Sequence, residues 1–344
     1  MNVKALLVFL FLPVCAFAQG YAGLGGKADG FDVPDPGYKF EFPKDHGPHP
    51  GFRIEWWYLT ANLKGDDGRD YGIQWTLFRS ALKPFESENW QSPQLWMGHA
   101  AVTTPDNHYS TERLARGGIG QAGVTASPFS AWIDEWVMQG EDLGTLSLTA
   151  RGPDFGYQLS LQATGPLVFH GDNGYSVKSR DGQASYYYSQ PSYIVSGTLQ
   201  LPDKYVSVTG SAWLDREWSS QPLAEDQSGW DWFSLNFDGG DRLMAFRLRG
   251  ERGDFTSATW IDAEGRTTTL PNGAIRLTPL ETTAVANRTA PTRWRVELPE
   301  RGVDVEVAAL NPDSWMNTRF VYWEGPVQIS GSHIGRGYLE MTGY

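Results

Sequence analysis

Downstream of Arg53 the chain is a succession of short stretches in which apolar and polar residues alternate, cut by turns rich in Gly, Asp and Pro. A period of two sends successive side chains to opposite faces of an extended backbone, so the pattern predicts antiparallel strands. Ile54 to Leu63 and Tyr71 to Arg79 form one predicted hairpin around Lys64-Gly65-Asp66-Asp67-Gly68. Gly144 to Arg151 and Tyr157 to Ala163 form a second around Gly152-Pro153-Asp154, and Tyr193 to Leu201 and Tyr205 to Asp215 flank Pro202-Asp203-Lys204. Trp230 to Phe237 and Leu243 to Arg249 flank Asp238-Gly239-Gly240-Asp241. No amphipathic helix longer than two turns stands out, Ser130 to Gln139 being the best candidate for a short one. Residues 19–50 lack periodicity and are rich in Gly and Pro, which reads as an extended arm.

The pattern also repeats. Glu55-Trp56-Trp57-Tyr58 opens a strand that is followed by an acidic Gly turn and a strand ending Leu77-Phe78-Arg79. Asp231-Trp232-Phe233 opens another, followed by Asp238-Gly239-Gly240-Asp241 and then Phe246-Arg247. Two similar β units in tandem are expected, and chance recurrence in an aromatic-rich chain is the alternative.

Composition narrows the function classes. The 344 residues carry 28 Lys and Arg against 40 Asp and Glu, a formal charge of −12, which excludes nucleic acid as a main partner and disfavours an anionic membrane surface. The 15 Trp, 15 Tyr and 17 Phe beside 39 Gly and 21 Pro favour strands and tight turns over helices, hence an all-β fold. Met1-Asn2-Val3-Lys4, the apolar stretch from Ala5 to Val14 and Ala16-Phe17-Ala18 read as a signal peptide over residues 1–18, so an exported, periplasmic or secreted protein is expected. Cleavage there removes Cys15, the single cysteine, and with it any disulfide or thiol chemistry. Lipid anchoring through Cys15 is the alternative, weakened by Val14 where a lipobox wants Gly or Ala.

No serine has Gly both two residues before and two after it, so the nucleophile elbow of a serine hydrolase is missing. No His-Glu-x-x-His occurs, and Asp45, His46 and His49 lie on the Pro-rich arm, where a polar segment over a sheet is the simpler reading; no metal and no cofactor are expected. The strongest chemistry lies in Trp213-Leu214-Asp215-Arg216-Glu217. Alternation puts Trp213, Asp215 and Glu217 on one face, with the two carboxyls about 7 Å apart at ~3.3 Å rise per residue. A carboxyl facing an apolar aromatic cavity is held protonated and can give its proton to an alkene or a leaving oxygen, while ring faces stabilise the cation formed. The alternative is ion pairing at a barrel rim, the role assigned to Arg216. Glu55 and Asp231 read as structural acids beside Trp pairs and arginines, and His99, among small residues, as a satisfied interior histidine that merits mutation.

Four strings, Ile54-Glu55-Trp56-Trp57-Tyr58-Leu59-Thr60, Gly98-His99-Ala100-Ala101-Val102, Ala212-Trp213-Leu214-Asp215-Arg216-Glu217-Trp218 and Gly229-Trp230-Asp231-Trp232-Phe233-Ser234-Leu235, resemble the AttH-like family of predicted secreted hydrolases, related to carotenoid 1,2-hydratase. The closing Gly335-Arg336-Gly337-Tyr338-Leu339-Glu340-Met341-Thr342-Gly343-Tyr344 agrees. The resemblance implies two tandem lipocalin-like antiparallel β-barrels, residues 51–220 and 221–344. It further implies an aspartate acid with an aromatic two residues before it, which Trp213-x-Asp215 fits. The His-x-Trp pair of the hydratase branch would fall at Tyr186-Tyr187-Tyr188, where this chain has tyrosines. Asp215 and Glu217 are accordingly the candidate catalytic pair, and Trp213, Tyr186, Tyr188, His99, Trp57 and Trp232 the candidate cavity lining. The expected activity is cofactor-free hydration or hydrolysis of an apolar, isoprenoid or lipid-like ligand. The competing reading is a non-catalytic carrier serving an envelope ABC-type transporter, with peripheral membrane association open to either.

Overall fold

The computed structural model describes residues 27–285 and 287–344, so the leader expected over residues 1–18 and Cys15 lie outside the described residues. The chain is all-β. The first half contains β1 (Ile54–Gly65), β2 (Asp70–Ala81), β3 (Gln94–Thr103), β4 (His108–Arg116), β5 (Ala122–Ala126), β6 (Phe129–Ile133) and β7 (Trp136–Gly140). It continues through β8 (Thr145–Arg151), β9 (Gly156–Ala163), β10 (Val168–Phe169), β11 (Tyr175–Val177), β12 (Ala184–Gln200) and β13 (Tyr205–Ser219). These form one antiparallel sheet in the order β4-β3-β2-β1-β13-β12-β9-β8-β7-β6-β5, with β10 and β11 paired to β12. The second half holds β14 (Gln227–Phe237), β15 (Arg242–Gly250), β16 (Phe255–Ile261), β17 (Thr267–Leu270) and β18 (Arg276–Val285). It ends with β19 (Arg288–Leu298), β20 (Val303–Ala309), β21 (Trp315–Met316), β22 (Tyr322–Gly331) and β23 (Gly335–Met341). The second sheet runs β17-β16-β15-β14-β23-β22-β20-β19-β18, with β21 on β22.

Each sheet curls into a nearly closed barrel around its own core. In the first, β6 comes back against β2, β3 and β4. Arg113 of β4 pairs with Glu135 at 3.1 Å, and a Cβ at Gly98 would come within 2.7 Å of Ile133, so only glycine lets β3 approach the returning strand this closely. Curling hides the sheet edges that would otherwise invite pairing with another chain. The predicted helix at Ser130 to Gln139 is instead the hairpin of β6 and β7: Phe129, Ala131, Ile133, Trp136 and Met138 all point into the barrel, and Asp134 turns the chain at a φ of 51°. Alternation on either side of a two-residue turn had imitated a helical spacing.

The arm is extended but not loose. Tyr38, Phe40 and Phe52 pack against the first barrel's core, and the short 3-10 turn Lys44–His46 is followed by a carbonyl, that of Gly47, which accepts from Arg216. The arm therefore plugs one end of that barrel, and the barrel interior is filled rather than hollow.

The two barrels pack through the outer face of β1, β12 and β13 on one side and that of β14, β15 and β23 on the other. A separate apolar cluster forms there, including Tyr58, Tyr187 and Trp213 from the first half and Trp232, Phe246 and Tyr338 from the second. At Gly72 a Cβ would lie 2.5 Å from Pro326, which marks how near the halves come. β1 is consequently buried on both faces along almost its whole length, polar Glu55, Thr60 and Asn62 included, whereas β8, open to solvent outside, alternates cleanly.

The internal repeat is real at the level of strand pairing. Glu55 lies opposite Arg79 and Trp56 opposite Phe78 across β1 and β2; Asp231 lies opposite Arg247 and Trp232 opposite Phe246 across β14 and β15. On the other flank Trp56 faces Glu217 of β13, and Trp232 faces Glu340 of β23.

Candidate active site

A cavity of about 230 Å³ occupies the junction of the two barrels. Trp56, Tyr58, Phe78 and Met97 contribute apolar wall from the first barrel, and Trp230, Trp232, Phe246 and Leu248 from the second. Into this aromatic enclosure project Lys178, Tyr187, Asp215, Glu217 and Glu340.

Asp215 is 2% exposed and has three hydrogen-bond donors. Trp213, two residues earlier on the same face of β13, gives its indole N–H at 2.7 Å, Tyr187 gives its O–H at 3.0 Å, and Ser189 gives its hydroxyl to the same oxygen that Trp213 holds. The donors are in place because Ser189 is the cross-strand partner of Asp215 and Tyr187 sits one pleat away on the same side of β12. Trp232, from the second barrel, donates in turn to the Tyr187 hydroxyl at 3.0 Å. Behind Ser189 stands His170, with Nε2 2.7 Å from the Ser189 hydroxyl and Nδ1 2.9 Å from that of Thr259 in β16. Burial holds His170 neutral, helped by the Lys178 charge, which fits a ring that donates from one nitrogen and accepts at the other. No salt bridge reaches Asp215 among the described residues. Burial, with a smaller push from Glu217, raises its carboxyl to about 7 despite the three donors, so near neutral pH it is available as an acid.

Glu217 has a different environment. It forms a salt bridge with Lys178 at 2.7 Å and accepts the Ser185 hydroxyl. The Lys178 ammonium lies over the rings of Tyr187, at 4.8 Å, and Phe246, at 4.3 Å. Glu217 is thus a fixed member of a cation–anion pair in the cavity wall, better suited to setting the local field than to delivering a proton.

Glu340 of β23 enters from the second barrel. The Trp230 indole N–H donates to it, and its accessible surface belongs to the cavity wall. Burial raises its carboxyl to about 7, again with a contribution from Glu217. Its cross-strand partner Glu324 is fully buried, accepts the Tyr58 hydroxyl and is pushed well above the ordinary carboxyl range.

Of the residues expected to line the cavity, Trp232 and His99 do so. His99 lies against Phe78, and its Nδ1 is 2.8 Å from the Tyr322 hydroxyl. Trp213 acts behind the wall, on Asp215. Three expectations fail. Tyr186 and Tyr188 flank Tyr187 on a strand, so alternation turns them into the first barrel: Tyr186 stacks on Tyr38, and Tyr188 binds His46 and the Asp45 carbonyl. Trp57, next to Trp56, likewise points inward, donating to the His46 carbonyl beneath the Arg216 guanidinium at 3.8 Å. The structural reading of Glu55, Asp231 and Arg216 agrees with their contacts. Glu55 is held by Arg79, Arg216 and His49, and Asp231 by Arg247, Arg249 and the Tyr344 hydroxyl.

Tyr187, Lys178, His170 and Glu340 were not singled out from sequence. Tyr187 was recoverable by carrying the alternation of β13 across to its neighbour. Lys178 and His170 lie in irregular chain beside β11 and β10, where no period exists, and Glu340 follows the pattern of Glu217 only once the two halves are aligned by strand pairing.

Two nearly closed antiparallel barrels packed around an acid-bearing cavity define a two-domain lipocalin-like protein. A family model for AttH-like proteins matches residues 33–344, and the chain belongs to that family. It is similar to the crystal structure of an AttH protein from Nitrosomonas europaea, 35% identical with a TM-score of 0.84, over 91% of this chain and 99% of that one. Kievitone hydratase from Nectria haematococca shares the fold at 15% identity and a TM-score of 0.68, over 91% of this chain and 96% of that one. No curated protein sequence matches.

Proposed function

We propose that the protein, exported under its leader, binds a small unsaturated apolar molecule in the junction cavity and adds water to it, with Asp215 as the proton donor. The observation that carries this is a buried carboxyl with no cationic partner among the described residues, raised to about 7 and facing an aromatic cavity. Transfer of its proton to an alkene carbon leaves positive charge on the neighbouring carbon, which the ring faces of Trp56, Trp232 and Phe246 can stabilise. Against the largely apolar wall of the cavity that electrostatic contact is worth more than it would be in bulk solution. The hydratase named among the fold's relatives supports the class of reaction without identifying the substrate.

The cavity bounds the substrate. An apolar cavity of roughly 150 Å³ holds benzene, so one of about 230 Å³ matches a molecule of about ten non-hydrogen atoms. That favours a ten-carbon isoprenoid or a single-ring unsaturated compound over a long polyene. The test is mass spectrometry of organic extracts from wild-type protein and Asp215→Asn purified side by side. A small alkene retained by the variant and found as its hydrate with the wild type supports the reading. The same unaltered molecule in both identifies a carrier, and two empty extracts count against a resident ligand of either kind.

A further inference from the structure

Two barrels that share one strand-pairing pattern place equivalent acids on the cavity. Glu217 faces Trp56 across β13 and β1, and Glu340 faces Trp232 across β23 and β14. The repeat therefore delivers one carboxyl from each half to the same enclosure. Lys178 occupies one of them, Glu217, by a salt bridge at 2.7 Å, whereas no salt bridge reaches Glu340 among the described residues. Among the described residues the Trp230 indole donates to one of its oxygens, and Glu340 is part of the cavity lining. The groups packed around it are Trp232 on β14, Glu324 on β22, and Glu217 across the cavity with its Lys178. Glu324 is turned to the Tyr58 hydroxyl and stays protonated, so it offers Glu340 no counter-charge.

We infer that Glu340 is the second catalytic group, the base that takes the proton from the attacking water while Asp215 protonates the alkene. This rests on the hydration reading above. In the step, the Asp215 O–H bond breaks and its proton forms a C–H bond with the alkene π pair. A lone pair of water forms the C–O bond to the cationic carbon, and one O–H bond of that water breaks as its proton passes to the Glu340 carboxylate. The substrate gains one water; Asp215 ends ionised and Glu340 protonated. Return of that proton through cavity water restores both groups. A pair of carboxyls divided between donor and acceptor on opposite sides of a substrate is a proven chemical arrangement for adding water across a polarised bond. Here each comes from a different barrel, so closure of the junction is what assembles the pair. Glu340 is raised to about 7, which lets it be ionised in one part of the cycle and protonated in another near neutral pH.

The experiment is an infrared pH titration of protonated carboxyl bands in full-length wild type, Asp215→Asn and Glu340→Gln, with turnover of geraniol as a probe of matching size. Asp215 and Glu340 should each supply one band that disappears between about pH 6 and 8, and each variant should remove its own band. Glu324 should persist as a band that does not titrate over that range. With geraniol, Glu340→Gln should lower kcat about 100-fold with KM little changed and should lose the fall in rate on the acid side; Glu340→Asp should restore part of it. A Glu340 that stays protonated or stays ionised across the titration overturns the assignment, as does full turnover by Glu340→Gln while Asp215→Asn is inactive. That last result leaves the hydration reading intact. Normal turnover by Asp215→Asn instead removes the hydration reading, and should wild type leave geraniol unchanged, the titration alone decides Glu340.

Discussion

The two faces of β13 offer a controlled comparison between buried acids. Facing inward, Arg216 joins Arg79 and His49 around Glu55, which is 0% exposed and pulled far below the usual carboxyl range by the two guanidinium groups and the histidine, against the opposing effect of burial. Facing outward, Asp215 is almost equally buried and moves the other way: burial raises it, and among the described residues only neutral donors, with no guanidinium, oppose that rise. Burial alone therefore does not fix the behaviour of an acid. What decides it is whether the enclosing chain also supplies a counter-charge, and a change of one residue along a strand changes the supply.

Several substitutions test this contrast. The largest expected effect is on chemistry: Asp215→Asn should cut turnover on the order of 10³-fold, measured on whatever alkene the extracts identify, with binding nearly intact. Next, Glu55→Gln strands two buried guanidinium groups and should cost about 3–5 kcal/mol in denaturant unfolding. A loss below about 1 kcal/mol there would mean that the inward cluster is not the anchor its contacts describe.

Titration of stability separates the two faces by sign. Asp215 binds its proton more tightly folded, at about 7, than at its ordinary 3.8, so its contribution is complete below about pH 4 and is lost as pH rises through about 7. Glu340 follows the same course from 4.5. Glu55, lowered from 4.5, contributes above that value and loses its contribution as pH falls toward its depressed folded value. Asp215→Asn should consequently be more stable than wild type at about pH 8, by about 1–3 kcal/mol, and should flatten the fall in stability between about pH 4 and 7 while leaving the loss at lower pH to Glu55. The smallest effect tests the pleat itself. Tyr187→Phe should lower turnover about 10-fold, whereas Tyr188→Phe should leave turnover within about twofold and cost about 1 kcal/mol of stability.

Much of the architecture was legible because period-two alternation and Asp-Gly turns are local signals. The hairpins of β1 with β2 and of β14 with β15 follow from them, as does the shared face of Trp213, Asp215 and Glu217. The resemblance of the Trp-rich strings to the AttH-like family supplied the two-barrel organisation. What stayed hidden depends on contacts across the two halves. Every strand of a filled barrel has an inside and an outside, and sequence does not say which side a second barrel will cover. Tyr186 and Tyr188 were placed on the cavity because the His-x-Trp pair of the hydratase branch would fall there, and Trp57 as part of one of the Trp-rich strings; the pleat sends all three into the core beneath the arm. His170 and Lys178 reach the site from connections without periodicity, so nothing local marked them.

The plugged first barrel gives the junction a further meaning. A single half, were it expressed alone, would turn its outward acids to open water, where a carboxyl recovers ordinary acidity and aromatic walls become sticky surface. On the proposed hydration, reactivity is then a property of the seam and not of either fold. Drift that tilts one half against the other would reshape what the seam accepts while both cores stay as they are.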